Sequence, residues 1–246
     1  MFTTLKALAK KVRATLYLPF ILRDYFAYHA KDSARRFRLS LSDAYPQIFD
    51  RTFETGFDRH YVYHTSWAAR VLSETLPQKH VDISSSLYFG GIVSAFIPVE
   101  FYDYRPASLS LSNFTPKQGD LMALPFPDGS VESLSCMHTV EHVGLGRYGD
   151  PIDPEGDVKA AKELARTLKP GGNLLFVVPM GKDAKIEFNA HRIYTYESVL
   201  ALFPELMLKE FSLIPEHEGP LVRYADPALL ENEAYACGCF VFTKQL

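Results

Sequence analysis

His80-Val81-Asp82-Ile83-Ser84-Ser85-Ser86 is the stretch on which the reading of this chain turns. An apolar run carries an acid at its end and breaks at once into three serines. Residues 81–83 read as a short buried strand and the serines as the loop that leaves it. Further along, residues 99–102 read as a second strand closed by Asp103 and Pro106. Residues 121–124 read as a short element before the turn at 125–129, and 131–137 as another strand. The unbroken apolar run 174–178 suits a central parallel strand covered on both faces. Residues 206–213 and 236–243 supply the last strands.

Helical patterns separate these runs. Residues 61–76 place Val62, Ala69, Leu72 and Leu76 on one face and stop at Pro77. A helical turn is expected over 92–96. Asp153 reads as an N-cap with Pro154 in the first helical position. The stripe of that helix is Val158, Ala161, Leu164, Ala165 and Leu168, and Lys169-Pro170-Gly171-Gly172 ends it. Thr195 caps a further helix that runs to Phe203. Strands alternating with helices predict an α/β, doubly wound, mostly parallel sheet over 61–246. Residues 1–60 read as a helical N-terminal extension or cap, broken at Pro19, Pro46 and Gly56.

In open sheets of this kind, ligands bind beyond the carboxyl ends of the strands, at the switch in strand order. Asp82 ends the first strand, and Asp103 ends the second 21 residues later. An acid at that distance is placed to accept hydrogen bonds from ribose hydroxyls. Asp120 can accept from the amino group of a base while Leu121 packs against its face. A turn or cap role is the structural alternative for each acid alone.

Gly119-Asp120, Leu124-Pro125-Phe126-Pro127-Asp128-Gly129-Ser130, Glu141-His142-Val143 and Leu168-Lys169-Pro170-Gly171-Gly172 follow one another in an order that resembles the class I methyltransferases that use S-adenosylmethionine. Residues 141–154, Glu-His-Val-Gly-Leu-Gly-Arg-Tyr-Gly-Asp-Pro-Ile-Asp-Pro, with Phe188-Asn189-Ala190-His191-Arg192, resemble a bacterial and nematode family of uncharacterised methyltransferase-like proteins (a domain of unknown function). The resemblance covers residues 60–243. It implies a seven-stranded class I sheet and S-adenosylmethionine as cofactor. Asp82, Ser84 and Ser85 would face the methionine and ribose part, and Asp103 would hold the ribose. Asp120 and Leu121 would recognise adenine, and His138 would line the floor beneath the methionine.

The chain departs from the resemblance in its loop. Glycines there permit positive φ and close approach of backbone to ligand. Serines adopt such shapes at a cost, although they keep N–H and O–H groups for a zwitterionic tail. Two functions stand open on that loop. One is a methyltransferase. The other is a non-catalytic, methyltransferase-like binding or scaffold module with a degenerate cofactor loop.

For catalysis, His142 and His191 are candidate general bases, with ordinary pKa values near 6.5. Glu141 could orient either one or bind an acceptor amine. Residues 144–154, with Arg147, Tyr148 and Asp150, sit where a substrate lid belongs, or form a rigid crossover. Asn189 and Arg192 would make the opposite wall. No metal is expected, because His138, Glu141, His142 and Asp150 match no strong zinc or iron spacing. Cys237 and Cys239 are expected to face opposite sides of the last strand and to share no metal.

Charge and composition bound the partners. The first 40 residues carry +7 and the remainder −10. An acidic domain is a poor partner for nucleic acid, whose non-specific affinity is supplied by basic charge. No Gly-x-Gly-x-x-Gly turn follows the first strand, which removes the dinucleotide enzymes. Leu5, Leu8, Val12, Leu16 and Phe20 recur near the helical period within the basic segment. Such a helix lies on an anionic membrane, or packs on the domain and solvates its outer face; the pattern leaves both open. Three cysteines make no disulfide framework. The expected setting is cytoplasmic, either free or peripheral to the inner face of a membrane. The resemblance implies a small-molecule or saccharide acceptor.

Overall fold

The computed structural model describes residues 2–245, with side chains from residue 17 onward. Leu5, Leu8, Val12 and Leu16, on which the amphipathic reading rests, lie outside the described side chains. The chain forms two compact units that divide after Gly56. In the first, α1 spans Phe2–Lys31 and continues through Pro19, so the expected break there is absent. A proline forfeits one backbone hydrogen bond, and a helix of 30 residues absorbs the loss. A 3-10 turn at Leu41–Asp43 follows, its start held by Ser40 Oγ accepting the Ser42 N–H. Among the described residues, no helix is long and apolar enough to cross a membrane.

The second unit begins at α2, Arg59–Thr75, where the Asp58 carboxylate caps the helix by accepting the Tyr61 N–H. Its buried face is His64, Trp67, Ala68, Val71 and Leu72. This corrects the expected stripe, since Val62 and Leu76 are exposed. The phase of a helix is set by whichever side chains lose most surface to the core, and here His64 and Trp67 belong to that set.

The strands are β1 His80–Ile83, β2 Val99–Asp103, β3 Phe114–Gln118, β4 Val131–Met137, β5 Leu168–Met180, β8 Leu206–Ile214 and β9 Ala236–Lys244. They form one seven-stranded sheet in the order β3-β2-β1-β4-β5-β9-β8. Pairings from β3 through β5 are parallel, and β9 runs antiparallel to both of its neighbours. The mostly parallel sheet expected of the class I type is therefore present. A separate hairpin, β6 Lys185–Glu187 with β7 His191–Ile193, follows β5.

Helix α3, Leu87–Val93, shares one core with α2 on one face of the sheet. Helices α4, Gly156–Thr167, and α5, Tyr196–Leu202, contribute to the core on the other face. Thr195 caps α5 in a reciprocal capping box with Ser198. The expected cap on α4 is not made. Glu155 holds the N-cap position without a side-chain bond. Asp153 instead accepts the Glu155 N–H at 3.0 Å and pairs with Lys159 at 2.6 Å.

The third strand also differs from expectation. It is Phe114–Gln118, while residues 121–124 form a turn closed by an Asp120–Ala123 bridge. A polar edge strand containing proline carries no apolar run to betray it, whereas Leu121 and Leu124 are buried from a turn. No helix joins β2 to β3 or β3 to β4. Loops and turns alone therefore follow those two strands, which lie on the β1 side of the switch in strand order between β1 and β4.

Candidate active site

Asp82 pairs with Ser135 across the β1–β4 register, and this pairing fixes the floor of the switch point. Asp82 is fully buried. Its Oδ1 accepts the Ser85 N–H at 2.9 Å, and its Oδ2 accepts the Ser135 hydroxyl at 2.6 Å. Burial raises its pKa to about 6 from an ordinary 3.8, against the opposing hydrogen bonds. On the other side, His80 places Nε2 2.9 Å from Ser135 Oγ and Nδ1 2.8 Å from Ser133 Oγ. Because an ionised Asp82 takes the Ser135 proton, Oγ of Ser135 accepts from His80 Nε2–H, and Nδ1 accepts from Ser133. Burial lowers the His80 pKa to about 3. The acid at the end of the first strand is thus spent on seating the loop and does not line the cavity above it.

The loop itself takes a glycine-like path. Ser84 has φ +53°. Its N–H and its hydroxyl both donate to the Tyr102 carbonyl, at 2.8 and 3.1 Å. The Ser84 carbonyl in turn accepts the Thr139 hydroxyl at 3.0 Å, and Ser85 Oγ accepts the Met137 N–H at 3.0 Å. A left-handed serine is strained, and such strain persists only where its surroundings over-determine it; these bonds are those surroundings. The hydroxyls are directed into the protein, so the substitution of serine for glycine is absorbed locally.

Above the loop lies a cavity of about 330 Å³. Ser84, Ser85, Asp103, Asp120, Leu121, His138, His142, Tyr148 and Asp150 line it, so the structure brings these expected residues together. Asp103 Oδ1 accepts the Arg105 N–H at 2.7 Å, and Asp120 Oδ1 accepts the Met122 N–H at 2.8 Å. Each carboxylate is oriented through one oxygen. Asp150 binds its own loop, accepting N–H bonds from Gly144 at 2.8 Å, Gly146 at 3.3 Å and Tyr148 at 3.2 Å. Gly144 has φ +79°, and a Cβ there would lie 2.0 Å from the Asp153 carbonyl oxygen. No other residue fits that turn. Tyr148 rises from it beneath two guanidinium groups, Arg105 at 5.0 Å and Arg147 at 5.1 Å from its ring centre.

A second cavity, of about 620 Å³, adjoins the first. Tyr61, His138, His142 and Tyr148 face both. Glu141, Arg147 and His191 face only the second. His142 Nδ1 lies 2.7 Å from the Ala190 carbonyl, so Nδ1 carries the proton and Nε2 is the basic nitrogen. Burial lowers its pKa, with Arg147 and His191 acting in the same direction against Glu141. Glu141 is almost wholly buried, with Oε1 3.0 Å from His138 Nδ1 and 3.8 Å from His142 Nε2. Oε2 of Glu141 and Nε2 of His191 are buried with no hydrogen-bond partner among the described residues.

Two expected wall residues lie elsewhere. Asn189 is exposed on the β6–β7 hairpin. Arg192 is buried and tied to the Val143 carbonyl at 2.7 Å and to Asp157 at 3.6 Å, where it pins the lid loop to α4.

The sequence reading also missed residues that the fold delivers. His60 and Tyr61 at the start of α2 stack on His138, with ring centres 5.5 and 5.6 Å away. Cys237 Sγ lies 3.4 Å from His138 Nε2. One ring nitrogen each of His60 and His138 and the sulfur of Cys237 all fall within 4.8 Å of one another. The expectation for the cysteines is corrected here. Residues two apart on a strand share a face, and Cys237 and Cys239 both belong to the core beneath α2. His138 is itself left-handed at φ +55°. Burial works against a charge on it, yet its pKa is raised. The Cys237 thiol is itself pushed up by burial, so the Glu141 carboxylate is the partner that holds a proton on His138.

A family model described as a Caenorhabditis protein of unknown function, DUF268, matches residues 116–219. No curated protein matches the sequence. Solved structures share the fold. The 1,6-didemethyltoxoflavin-N1-methyltransferase of Burkholderia thailandensis, with bound 1,6-didemethyltoxoflavin and S-adenosylhomocysteine, aligns at TM-score 0.54 and 9% identity, over 74% of this chain and 79% of its own. The N-methyltransferase NodS of Bradyrhizobium japonicum WM9 aligns at 0.54 and 12%, over 74% and 94%. The [4+2]-cyclase SpnF aligns at 0.52 and 14%, over 74% and 81%. The chain has a class I methyltransferase-like fold.

Proposed function

We propose that the protein is an S-adenosylmethionine-dependent methyltransferase acting on a small-molecule or saccharide acceptor. The carrying observation is the cavity at the switch point. Its carboxylates Asp103 and Asp120 are each oriented by one backbone N–H, and the hydroxyls of Ser84 and Ser85 are both bonded to the protein's own backbone. The volume, about 330 Å³, falls within the roughly 300–1,000 Å³ range of small-molecule sites. Because a cyclase also uses this fold, the fold alone does not carry the reading; the donor set in the cavity does.

The residues present fit the cofactor. Asp103 would accept from ribose hydroxyls, Asp120 from the adenine amino group, and Leu121 would cover the base. The Ser84–Ser85 backbone would hold the polar tail. When bound, the cofactor supplies an electrophilic methyl group. The second cavity is the acceptor chamber, because His142 faces both spaces. His142 Nε2 takes the acceptor proton, and the Ala190 carbonyl keeps the other nitrogen protonated so that this one stays basic. Tyr148 and its loop close the shared mouth and exclude water. Glutamate and histidines in the chamber suit a hydroxyl or amine acceptor, which needs a base; alignment of acceptor and methyl donor supplies most of the remaining rate.

The reading in which the chain is a non-catalytic module predicts a blocked cofactor space, and the inward hydroxyls of Ser84 and Ser85 weigh against it. Titration calorimetry with S-adenosylhomocysteine on the intact protein tests the proposal. Micromolar binding that is lost in Asp103→Ala supports it. Absence of heat and of thermal shift at millimolar ligand sinks it.

A further inference from the structure

We propose that His60, His138 and Cys237 form a three-ligand site for a divalent transition metal of the zinc class, open to the acceptor chamber. The three residues come from the start of α2, the turn after β4 and strand β9, and no sequence spacing links them. Their donor atoms nevertheless converge within 4.8 Å. The His138 Nε2 to Cys237 Sγ distance is 3.4 Å. In a zinc tetrahedron with bonds of roughly 2.05 Å to nitrogen and 2.3 Å to sulfur, that edge is about 3.6 Å.

The surroundings are those of a metal-bound histidine. Glu141 Oε1 sits 3.0 Å from His138 Nδ1, so it accepts the N–H there and turns Nε2 towards the sulfur. This is the carboxylate–histidine–metal arrangement that fixes ring orientation and tautomer. The ring of His60 stacks on those of His138 and Tyr235, with centres 5.5 and 5.1 Å away. The left-handed backbone of His138, φ +55°, aims the ring at this point at a conformational cost.

A purely aromatic stack of His60, Tyr61 and His138 would explain the ring faces. It leaves unexplained the histidine nitrogen against a thiol in the core. A bound cation accounts for that contact. Nitrogen and thiolate donors favour zinc over magnesium or calcium. Binding displaces to solvent both the Cys237 thiol proton and the Nε2 proton of His138, giving thiolate–metal–imidazole bonds with no change of oxidation state. Three protein ligands beside a chamber of about 620 Å³ leave a fourth position for water or substrate, the pattern of a reactive site rather than a structural one. Resting on the methyl-transfer reading, that position takes the acceptor's hydroxyl and makes it a better nucleophile.

The test is direct metal binding by the intact protein without cofactor, so its outcome is separate from that of S-adenosylhomocysteine calorimetry. Metal-free protein is titrated with Zn²⁺ and with Co²⁺, reading metal content after desalting and the cobalt spectrum. The expected result is one metal per chain and a thiolate-to-cobalt charge-transfer band. Cys237→Ser is expected to abolish that band, and His60→Ala to weaken affinity at least tenfold. Cys239→Ser, on the same strand face, is expected to keep both. Because Cys237 lies in the core, circular dichroism and melting accompany each variant. If Cys237→Ser fails to fold, His60→Ala at the helix start decides. Failure of the wild-type protein to retain stoichiometric metal overturns the proposal, and so does wild-type affinity in His60→Ala or an unchanged charge-transfer band in a folded Cys237→Ser.

Discussion

Replacing Asp82 with asparagine is expected to stabilise the protein at neutral pH and to make its stability more sensitive to acid. The wild-type side chain is fully buried and its pKa stands at about 6 against an ordinary 3.8. Above pH 6 the folded state must therefore hold a carboxylate in an environment that opposes it. A shift of about two units corresponds to about 3 kcal/mol. Asparagine keeps the shape and the network. Its oxygen accepts the Ser85 N–H, its amide donates to Ser135 Oγ, and the hydroxyl then donates to His80 Nε2. His80 Nδ1–H donates to Ser133, so the chain of bonds reverses with no group left unpaired. The variant should gain up to about 3 kcal/mol at pH 7.5, at about 2–4 °C of melting temperature per kcal/mol for a domain of this size.

The pH dependence of the variant follows from opposing signs. Asp82, raised, favours folding most at low pH, and that contribution falls as pH rises from about 4 to about 6. His80, depressed to about 3 from 6.5, contributes stability that is full above pH 6.5 and is lost as pH falls towards 3. Between pH 4 and 6 the two slopes cancel in the wild type. In Asp82→Asn the histidine slope stands alone, about 1.4 kcal/mol per pH unit below 6.5. Urea unfolding of both proteins at half-unit steps from pH 5 to 8 measures it. An Asp82→Asn protein no more stable than wild type at pH 7.5, or one whose stability falls no more steeply below pH 6.5, refutes the reasoning.

Ser135→Ala should cost about 2–6 kcal/mol by leaving Asp82 Oδ2 and His80 Nε2 both unpaired, whereas Ser133→Ala orphans one nitrogen and should cost about 1–3 kcal/mol; equal melting temperatures would contradict that ordering. Asp103→Ala should weaken S-adenosylhomocysteine about ten- to hundredfold in calorimetry, since one or two charge-assisted bonds are worth about 1.5–3 kcal/mol. A change under threefold would remove Asp103 from the ribose site. Gly144→Ala puts a methyl against the Asp153 carbonyl at a left-handed residue, and should cost more than about 1 kcal/mol in chemical denaturation. With an acceptor in hand, the rate should require neutral His142, whose pKa is lowered. Its acid limb should therefore lie below pH 6.5 and disappear in His142→Gln, with kcat down by about 10²-fold.

Much of the sheet was legible because its central strands are apolar on both faces and leave unbroken runs, as at residues 174–178. Thr195 announced a helix because its cap is a local interaction. The third strand was not legible. It lies at an edge, holds Pro116 and buries only Phe114, so burial writes no alternation into it. Helix α2 was found but rotated, because His64 and Trp67 count as polar and bulky in a pattern and as core in the fold. Asp103 was placed from the spacing of strand ends, which topology makes predictable, and Asp120 from its position beside Leu121. Asp82 occupied the same kind of position and turned inward, because the Ser135 register partner is visible only once strands pair. The cluster of His60, His138 and Cys237 joins residues 78 and 99 positions apart along the chain, and nothing local marks such a meeting.

Tyr61, His138, His142 and Tyr148 each have one side towards the switch-point cavity and one towards the larger chamber. A wall held in common makes the two occupants thermodynamically reciprocal. If filling the first cavity shifts any of these rings, affinity in the second changes by some factor, and filling the second must change affinity in the first by that same factor. Any coupling between the two cavities would run through these four side chains.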